Sequence, residues 1–329
     1  MGFQALLTEQ TDAGFHSRVV TRELDDLPAG DVLIRVRYSS VNYKDALSAS
    51  GNKGVTRNYP HTPGIDAAGE VEDSRADGFS KGDQVLVMGY DLGMNTTGGY
   101  GEYIRVPADW VLRLPVGLDA RSAMIYGTAG FTAALCVSSL LDVGIRPAQG
   151  RVLVTGASGG VGSVAVALLA QQGFEVVAAT GKATAHEWLK QLGASDFMGR
   201  DALLADLKKP MHKPAWAAAV DTLGGEPLAN LLKSIQYGGS VACCGLAASA
   251  DLPASVLPFI LRGINLLGVD SVELPREIKQ QIWDDLGADW KLPNLEQLLT
   301  HTLTLADLPT YLADLLAGKT QGRAIVQLP

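Results

Sequence analysis

Eleven residues in the middle of the chain, VLVTGASGGVG (152–162), have the types and spacing to hold a phosphate. A β-branched run ends at Thr155, a glycine-rich stretch follows, and an apolar helical run begins near Gly160. Ala157-Ser158-Gly159-Gly160-Val161-Gly162 fits A-x-G-x-x-G, with alanine where the usual fingerprint has its first glycine. Gly159 lets the backbone approach a pyrophosphate, and Gly162 lets the helix pack closely on the strand. The helix start at Ser158, Gly160 and Val161 offers free N–H groups and the positive end of the helix dipole. Strand, loop and helix in this order predict a dinucleotide site.

The next apolar run, EVVAAT (175–180), ends without the acid that holds the ribose hydroxyls in NAD-binding folds. Thr180, Gly181 and Lys182 stand there instead and suit a 2′-phosphate, so the expected cofactor is NADPH. Lys182 also fits a solvated helix start, and Arg200, after ASDFMG, is a second candidate cation. The loop also matches T-G-x-x-x-G-x-G of short-chain dehydrogenases. After it, however, no Tyr has Lys four positions on, which excludes that reading. A second polar stretch, PGIDAAGEV (63–71), makes Asp66 a candidate metal ligand, catalytic acid or turn residue.

The elements that must position these residues fall in two textures. Up to about residue 120, short β-branched and aromatic runs at 31–41, 81–89 and 101–114 are broken by Gly, Pro, Asp and Asn, as in a barrel or sandwich. Residues 120–144 read as a helix. Strands at 151–155, 175–180, 215–223, 239–245 and 264–270 then alternate with helices at 160–173, 183–193, 201–209 and 227–235. Such βαβ alternation predicts a doubly wound parallel sheet, hence an α/β fold. Helices are expected at 274–292 and 306–318, and the last strand, 322–328, is expected to return to the N-terminal β unit.

Composition narrows the function. With 27 basic and 35 acidic residues the net charge is −8, and no Lys/Arg run stands out, which argues against nucleic acid as partner. Cys136, Cys243 and Cys244 lack C-x-x-C spacing, so no disulfide framework is expected. No charged-then-apolar leader and no uninterrupted apolar run of membrane-spanning length is read, which predicts a cytoplasmic protein that binds no membrane.

VNYKDAL (41–47), PGIDAAGEV, GTAGFTAA (127–134), VTGASGGVG, DTLGG (221–225) and QGRAIV (321–326) together resemble the acrylyl-CoA reductase group of medium-chain dehydrogenases/reductases, long catalogued as quinone oxidoreductases. The resemblance covers essentially the whole chain. It implies a GroES-like β-barrel domain at 1–121 and 296–329 and an inserted Rossmann domain at 122–295. It also implies a cleft between them, NADPH, and a homodimer. In zinc enzymes of the superfamily the stretch at Gly64-Ile65-Asp66 reads Gly-His-Glu. Ile65 cannot bind metal and no Cys precedes residue 136, so no metal is expected.

The resemblance implies hydride transfer from NADPH to the β-carbon of a short 2-enoyl thioester, acryloyl-CoA giving propionyl-CoA, with charge building on the thioester oxygen. Asn42 and Tyr43 are the expected neutral donors, with Tyr43 also touching the cofactor. Tyr126 and Thr128 are expected near the nicotinamide, and Gly245 in the cofactor site. Arg323 is expected on the cofactor or the CoA phosphates, or else in an ion pair. Lys44 and Asp45 read as a surface pair, with Asp45 alternatively a helix cap. Lys53, Arg57 and Lys81 are unranked candidates for CoA. INLLGVDSVEL (264–274) is the expected dimer surface. Quinone reduction and non-catalytic NADPH binding are the competing functions.

Overall fold

The computed structural model describes residues 2–329. In chain order the first elements are β1 (Gly2–Thr11), β2 (Gly14–Glu23), β3 (Val32–Ser40), α1 (Tyr43–Ala49), β4 (Asp66–Ser74), β5 (Gln84–Met88), β6 (Tyr103–Val106) and β7 (Val111–Arg113). Then come α2 (Ala120–Asp142), β8 (Val152–Thr155), α3 (Gly160–Gln171), β9 (Val176–Ala179), α4 (His186–Gln191), β10 (Ala194–Met198), β11 (Trp216–Asp221), α5 (Gly225–Leu232), β12 (Ile235–Cys243), α6 (Leu257–Arg262) and β13 (Asn265–Gly268). The chain closes with α7 (Arg276–Gly287), β14 (Leu299–Leu303), α8 (Leu308–Leu316) and β15 (Arg323–Gln327).

Two compact units emerge. The first holds residues 2–128, 271–291 and 295–329, and the second holds 129–270 and 292–294. In the first, the mixed sheet runs β14-β15-β3-β4-β5-β7, with β6 added on β3. The final strand does return to the N-terminal part: β15 lies antiparallel to β3, with Ile325 opposite Ser40. Val36, Val85, Val87, Tyr100, Ile104, Val111 and Val326 fill its core. Segment 271–291, expected in the nucleotide-binding part, belongs with the first unit. Lys279 of α7 is wholly buried there and donates to the carbonyls of Met88 and Val272.

In the second unit six parallel strands run β10-β9-β8-β11-β12-β13, the 3-2-1-4-5-6 order of a Rossmann fold. Residues 201–209 are a 3-10 turn, Arg200–Leu204, followed by loop rather than the expected helix. The run 101–114 splits at Pro107 into β6 and β7, since proline cannot continue the ladder. Strand β14 was not expected.

Helix α2 has 23 residues and is long and apolar enough to cross a bilayer by composition, although 78% of its apolar window is buried in the protein. It is not continuous. Gly127, with φ 52° and ψ −162°, breaks it, and Thr128 opens its second part. A side chain at 127 would have no room: a Cβ there would stand 2.4 Å from Ser40 Oγ and 2.8 Å from both Arg323 Nη2 and Asp66 Oδ2.

Candidate functional site

In the first unit a polar cluster is built around Asp66, the first residue of β4, which has no exposed surface. Its Oδ2 accepts from the Ser40 hydroxyl, from Asn42 Nδ2 at 2.8 Å and from the Thr128 backbone N–H at 2.8 Å. Its Oδ1 accepts from the Thr128 hydroxyl at 2.5 Å. Asp66 therefore caps the second part of α2, where orphan N–H groups and the dipole favour a carboxylate. Of the roles read from sequence it holds the hydrogen-bonding one, buried within the fold.

Helix α1 begins against this cluster. Asn42 is its N-cap, and its backbone N–H donates to Asp45 Oδ2 at 2.8 Å in a reciprocal capping box. Asp45 is buried rather than half of a surface pair with Lys44. It also accepts from the Ile65 N–H at 2.8 Å and the Tyr100 hydroxyl at 3.0 Å. Burial first, and the nearby charge of Asp66 second, raise its pKa to about 7 despite those three donors.

Four of the residues expected in the site have their partners or burial set by this geometry. Asn42 offers no free amide: its Nδ2 donates to Ser40 Oγ at 2.9 Å and to Asp66. Thr128 spends both its N–H and its hydroxyl on Asp66. Tyr126 is wholly buried. Arg323 is 2% exposed and lies within the fold, where the charge of Asp66 acts on it. Its Nε donates to the Ile125 carbonyl at 2.8 Å and its Nη1 to the Val41 carbonyl at 3.0 Å, tying the last strand to the ends of β3 and of the first part of α2. Burial lowers its pKa and the charge of Asp66 opposes that. Tyr43 alone of the proposed donors is presented outward, 47% exposed, at the first position of α1.

In the second unit the glycine loop lies between β8 and α3, with Gly159 as the N-cap. The missing first glycine is supplied one position earlier. Gly156 has φ 60°, and a Cβ on it would lie 2.3 Å from Thr222 Oγ1. A Cβ on Gly162 would lie 2.4 Å from the Gly156 carbonyl oxygen and 2.8 Å from Ala157 Cα, so glycine is required for the close helix–strand approach. Gly245 is also a packing glycine. Its Cβ would meet the Thr222 carbonyl oxygen at 2.2 Å, and it does not line the cleft described next.

A cleft of about 480 Å³ opens over the ends of β8 and β9, lined by Gly156, Ser158, Thr180, Gly181, Lys182 and Arg200, with Asp201 also on its wall. Ser158 and Thr180 join hydroxyls at 2.9 Å, and Thr180 Oγ1 accepts from the Lys182 N–H at 3.1 Å. The Arg200 side chain lies over Gly181, 3.6 Å from where a Cβ would be. Burial, then the charge of Arg200, lowers the Lys182 pKa. Two adjacent cations beside a glycine loop fit a phosphate on the ribose of a dinucleotide. At the end of β11, the buried Asp221 accepts from the Thr155 hydroxyl and the Gly224 N–H, both at 2.8 Å. Among the described residues no group of three or more His, Cys, Asp or Glu side chains is placed to hold a metal ion.

Sequence reasoning missed Ser40, Tyr100, Gly156 and Asp221. Two of them carried a signal, Gly156 as a glycine directly after the strand and Asp221 as the first residue of DTLGG.

Comparison with known proteins agrees with this architecture. Residues 28–116 match the alcohol dehydrogenase GroES-like domain family and residues 160–287 match the zinc-binding dehydrogenase family. The chain is 45% identical to the acrylyl-CoA reductase AcuI of Ruegeria pomeroyi over 99% of both chains. The YhdH structure of Escherichia coli K-12, with bound NADPH, is 47% identical, with a TM-score of 0.95 over 99% of this chain and 100% of that one. The Bacillus subtilis yhfP structure, with NAD bound, is 45% identical, with a TM-score of 0.96 over 100% of both. The chain thus belongs to the acrylyl-CoA reductase (YhdH/AcuI-type) family of medium-chain dehydrogenases/reductases, built from a GroES-like and a Rossmann fold.

Proposed function

We propose that this protein is an NADPH-dependent reductase of the carbon–carbon double bond of a short 2-enoyl-CoA, converting acryloyl-CoA to propionyl-CoA. The full-length likeness to AcuI is the observation that carries the reading. Gly159, Gly162, Lys182 and Arg200 would hold the cofactor; when bound, NADPH would supply the hydride for the β-carbon, and the α-carbon would take a proton from a side chain or water.

The chain's own contribution is a fixed donor. As charge develops on the thioester oxygen, the Tyr43 hydroxyl hydrogen-bonds to it. The capping box between Asn42 and Asp45 sets the start of α1, and Asp66 sets Asn42. The backbone from which Tyr43 projects is therefore set before substrate arrives.

We also propose a cytoplasmic homodimer. Strand β13 ends the sheet, and Val256, Ile260 and Leu261 stand exposed beside it around α6, an edge that needs a cover.

Product analysis tests the function. Incubation with NADPH and acryloyl-CoA yields propionyl-CoA, one per NADPH oxidised. NADPH oxidation without that product contradicts the reading.

A further inference from the structure

The loop that follows α1 carries cations in an otherwise acidic protein. Between Tyr43 and Pro60 the only acid is the buried Asp45, whereas Lys44, Lys53 and Arg57 are all present. The loop is fixed in place. The N–H groups of Val55 and Thr56 both donate to the Asn52 carbonyl at 3.0 Å. Ser48 and Thr56 join hydroxyls at 2.7 Å, and the Tyr59 hydroxyl donates to the Ser48 carbonyl at 2.6 Å, fastening the loop to α1. A Cβ on Gly51, where φ is 85°, would stand 2.0 Å from Phe15, so glycine lets that ring rest on the loop.

The charges on this loop are held by neutral groups. Lys53 Nζ donates to the Arg57 carbonyl at 3.1 Å and lies 4.9 Å from the Tyr59 ring centre and 5.8 Å from that of Phe15. The Arg57 backbone N–H is fixed by Asn95 Oδ1 at 3.1 Å, and its side chain is exposed. The nearby carboxylate of Asp91 is engaged by Asn95 Nδ2 and Thr96 Oγ1, both at 2.9 Å. Among the described residues, neither Lys53 nor Arg57 takes part in an ion pair. Lys81, equally eligible by sequence, is paired with Glu72 at 2.5 Å. A carbonyl and aromatic faces orient Lys53 without neutralising it, and the Arg57 side chain stands exposed, which leaves both charges to bind an anion.

We propose that Lys53 and Arg57 bind the phosphorylated adenosine end of the CoA thioester, an inference that rests on the enoyl-CoA reading above. Tyr43 opens α1 and the loop leaves its other end. The seven residues of α1 span about 10 Å. The pantetheine arm bridges this separation between the thioester and its phosphates.

The test compares acryloyl-CoA with acryloyl-pantetheine, which lacks the phosphates, in the wild type and in Lys53→Ala/Arg57→Ala. The double variant is expected to raise KM for acryloyl-CoA at least about tenfold per residue removed, since charge-assisted hydrogen bonds are lost. It should leave KM for the pantetheine thioester in place, and Lys81→Ala should change neither. Calorimetry with adenosine 3′,5′-bisphosphate, with NADP+ saturating, reads the site without turnover: the wild type binds and the double variant does not. Turnover of acryloyl-CoA with an unchanged KM in the double variant overturns the inference alone. No turnover of either thioester, with bisphosphate binding still lost in the double variant, overturns the enoyl-CoA reading and leaves the phosphate site standing.

Discussion

Asp66 accepts two hydrogen bonds from Thr128, one from its N–H at 2.8 Å and one from its hydroxyl at 2.5 Å. The same carboxylate accepts from Ser40 and Asn42, so one buried group joins the end of β3, the start of α1 and the break in α2. The residue looked like a ligand or acid in isolation. Its geometry makes it the anchor of the segment that carries Tyr43.

Asp66→Ala removes the acceptor for four donors and leaves the buried Arg323 without its opposing charge. A loss of about 3–5 kcal/mol is expected, read in urea on the transition of the unit that contains it. An unchanged midpoint would show that the cluster holds nothing in place.

Asp45 gives stability a pH dependence. Its folded-state pKa is raised from 3.8 to about 7. Below about pH 4 both states are protonated and the group contributes no difference. Between about 4 and 7 the unfolded chain ionises while the folded one keeps its proton, so stability falls as pH rises through that window and levels off above it. The fall is on the order of 4 kcal/mol. Asp66, Tyr100 and Arg323 are the charged or titratable groups that act on it. Asp45→Asn is expected to be less stable overall, through a lost acceptor, yet to lack this component. Parallel pH profiles for wild type and variant would contradict it.

Much of the second unit was legible because its chemistry is local. The strand, glycine loop, helix and following strand lie within about thirty residues, and Thr180, Gly181, Lys182 and Arg200 do line one cleft. The first unit's cluster was not legible. Ser40, Asp66, Tyr100, Thr128 and Arg323 are far apart in sequence and meet only once sheet, loop and helix have packed. Asn42 was read as a free donor because a sequence does not show which acceptors consume its amide. Arg323 was read either as a phosphate contact or as an ion pair within the fold; β15 carries it into the core, where the charge of Asp66 acts on it.

Lys182→Ala and Arg200→Ala are expected to raise KM for NADPH about tenfold or more each, consistent with loss of a charge-assisted contact, while changing KM for NADH little. Steady-state kinetics with both cofactors checks this. Equal losses with NADH and NADPH would place the two cations elsewhere than on the ribose phosphate.

Tyr43→Phe removes the exposed hydroxyl and keeps the ring. A fall in kcat of about a hundredfold is expected, typical of losing one donor to a developing oxyanion, with the Kd for NADPH little changed. Undiminished turnover would remove Tyr43 from the reaction.

The most direct measurement is NADPH oxidation by the wild-type protein with acryloyl-CoA, crotonyl-CoA and a benzoquinone, compared as kcat/KM. The account predicts the highest value for acryloyl-CoA, a lower one for crotonyl-CoA and the lowest for the quinone. A quinone reduced faster than either thioester, or tight NADPH binding without turnover of any acceptor, would contradict it.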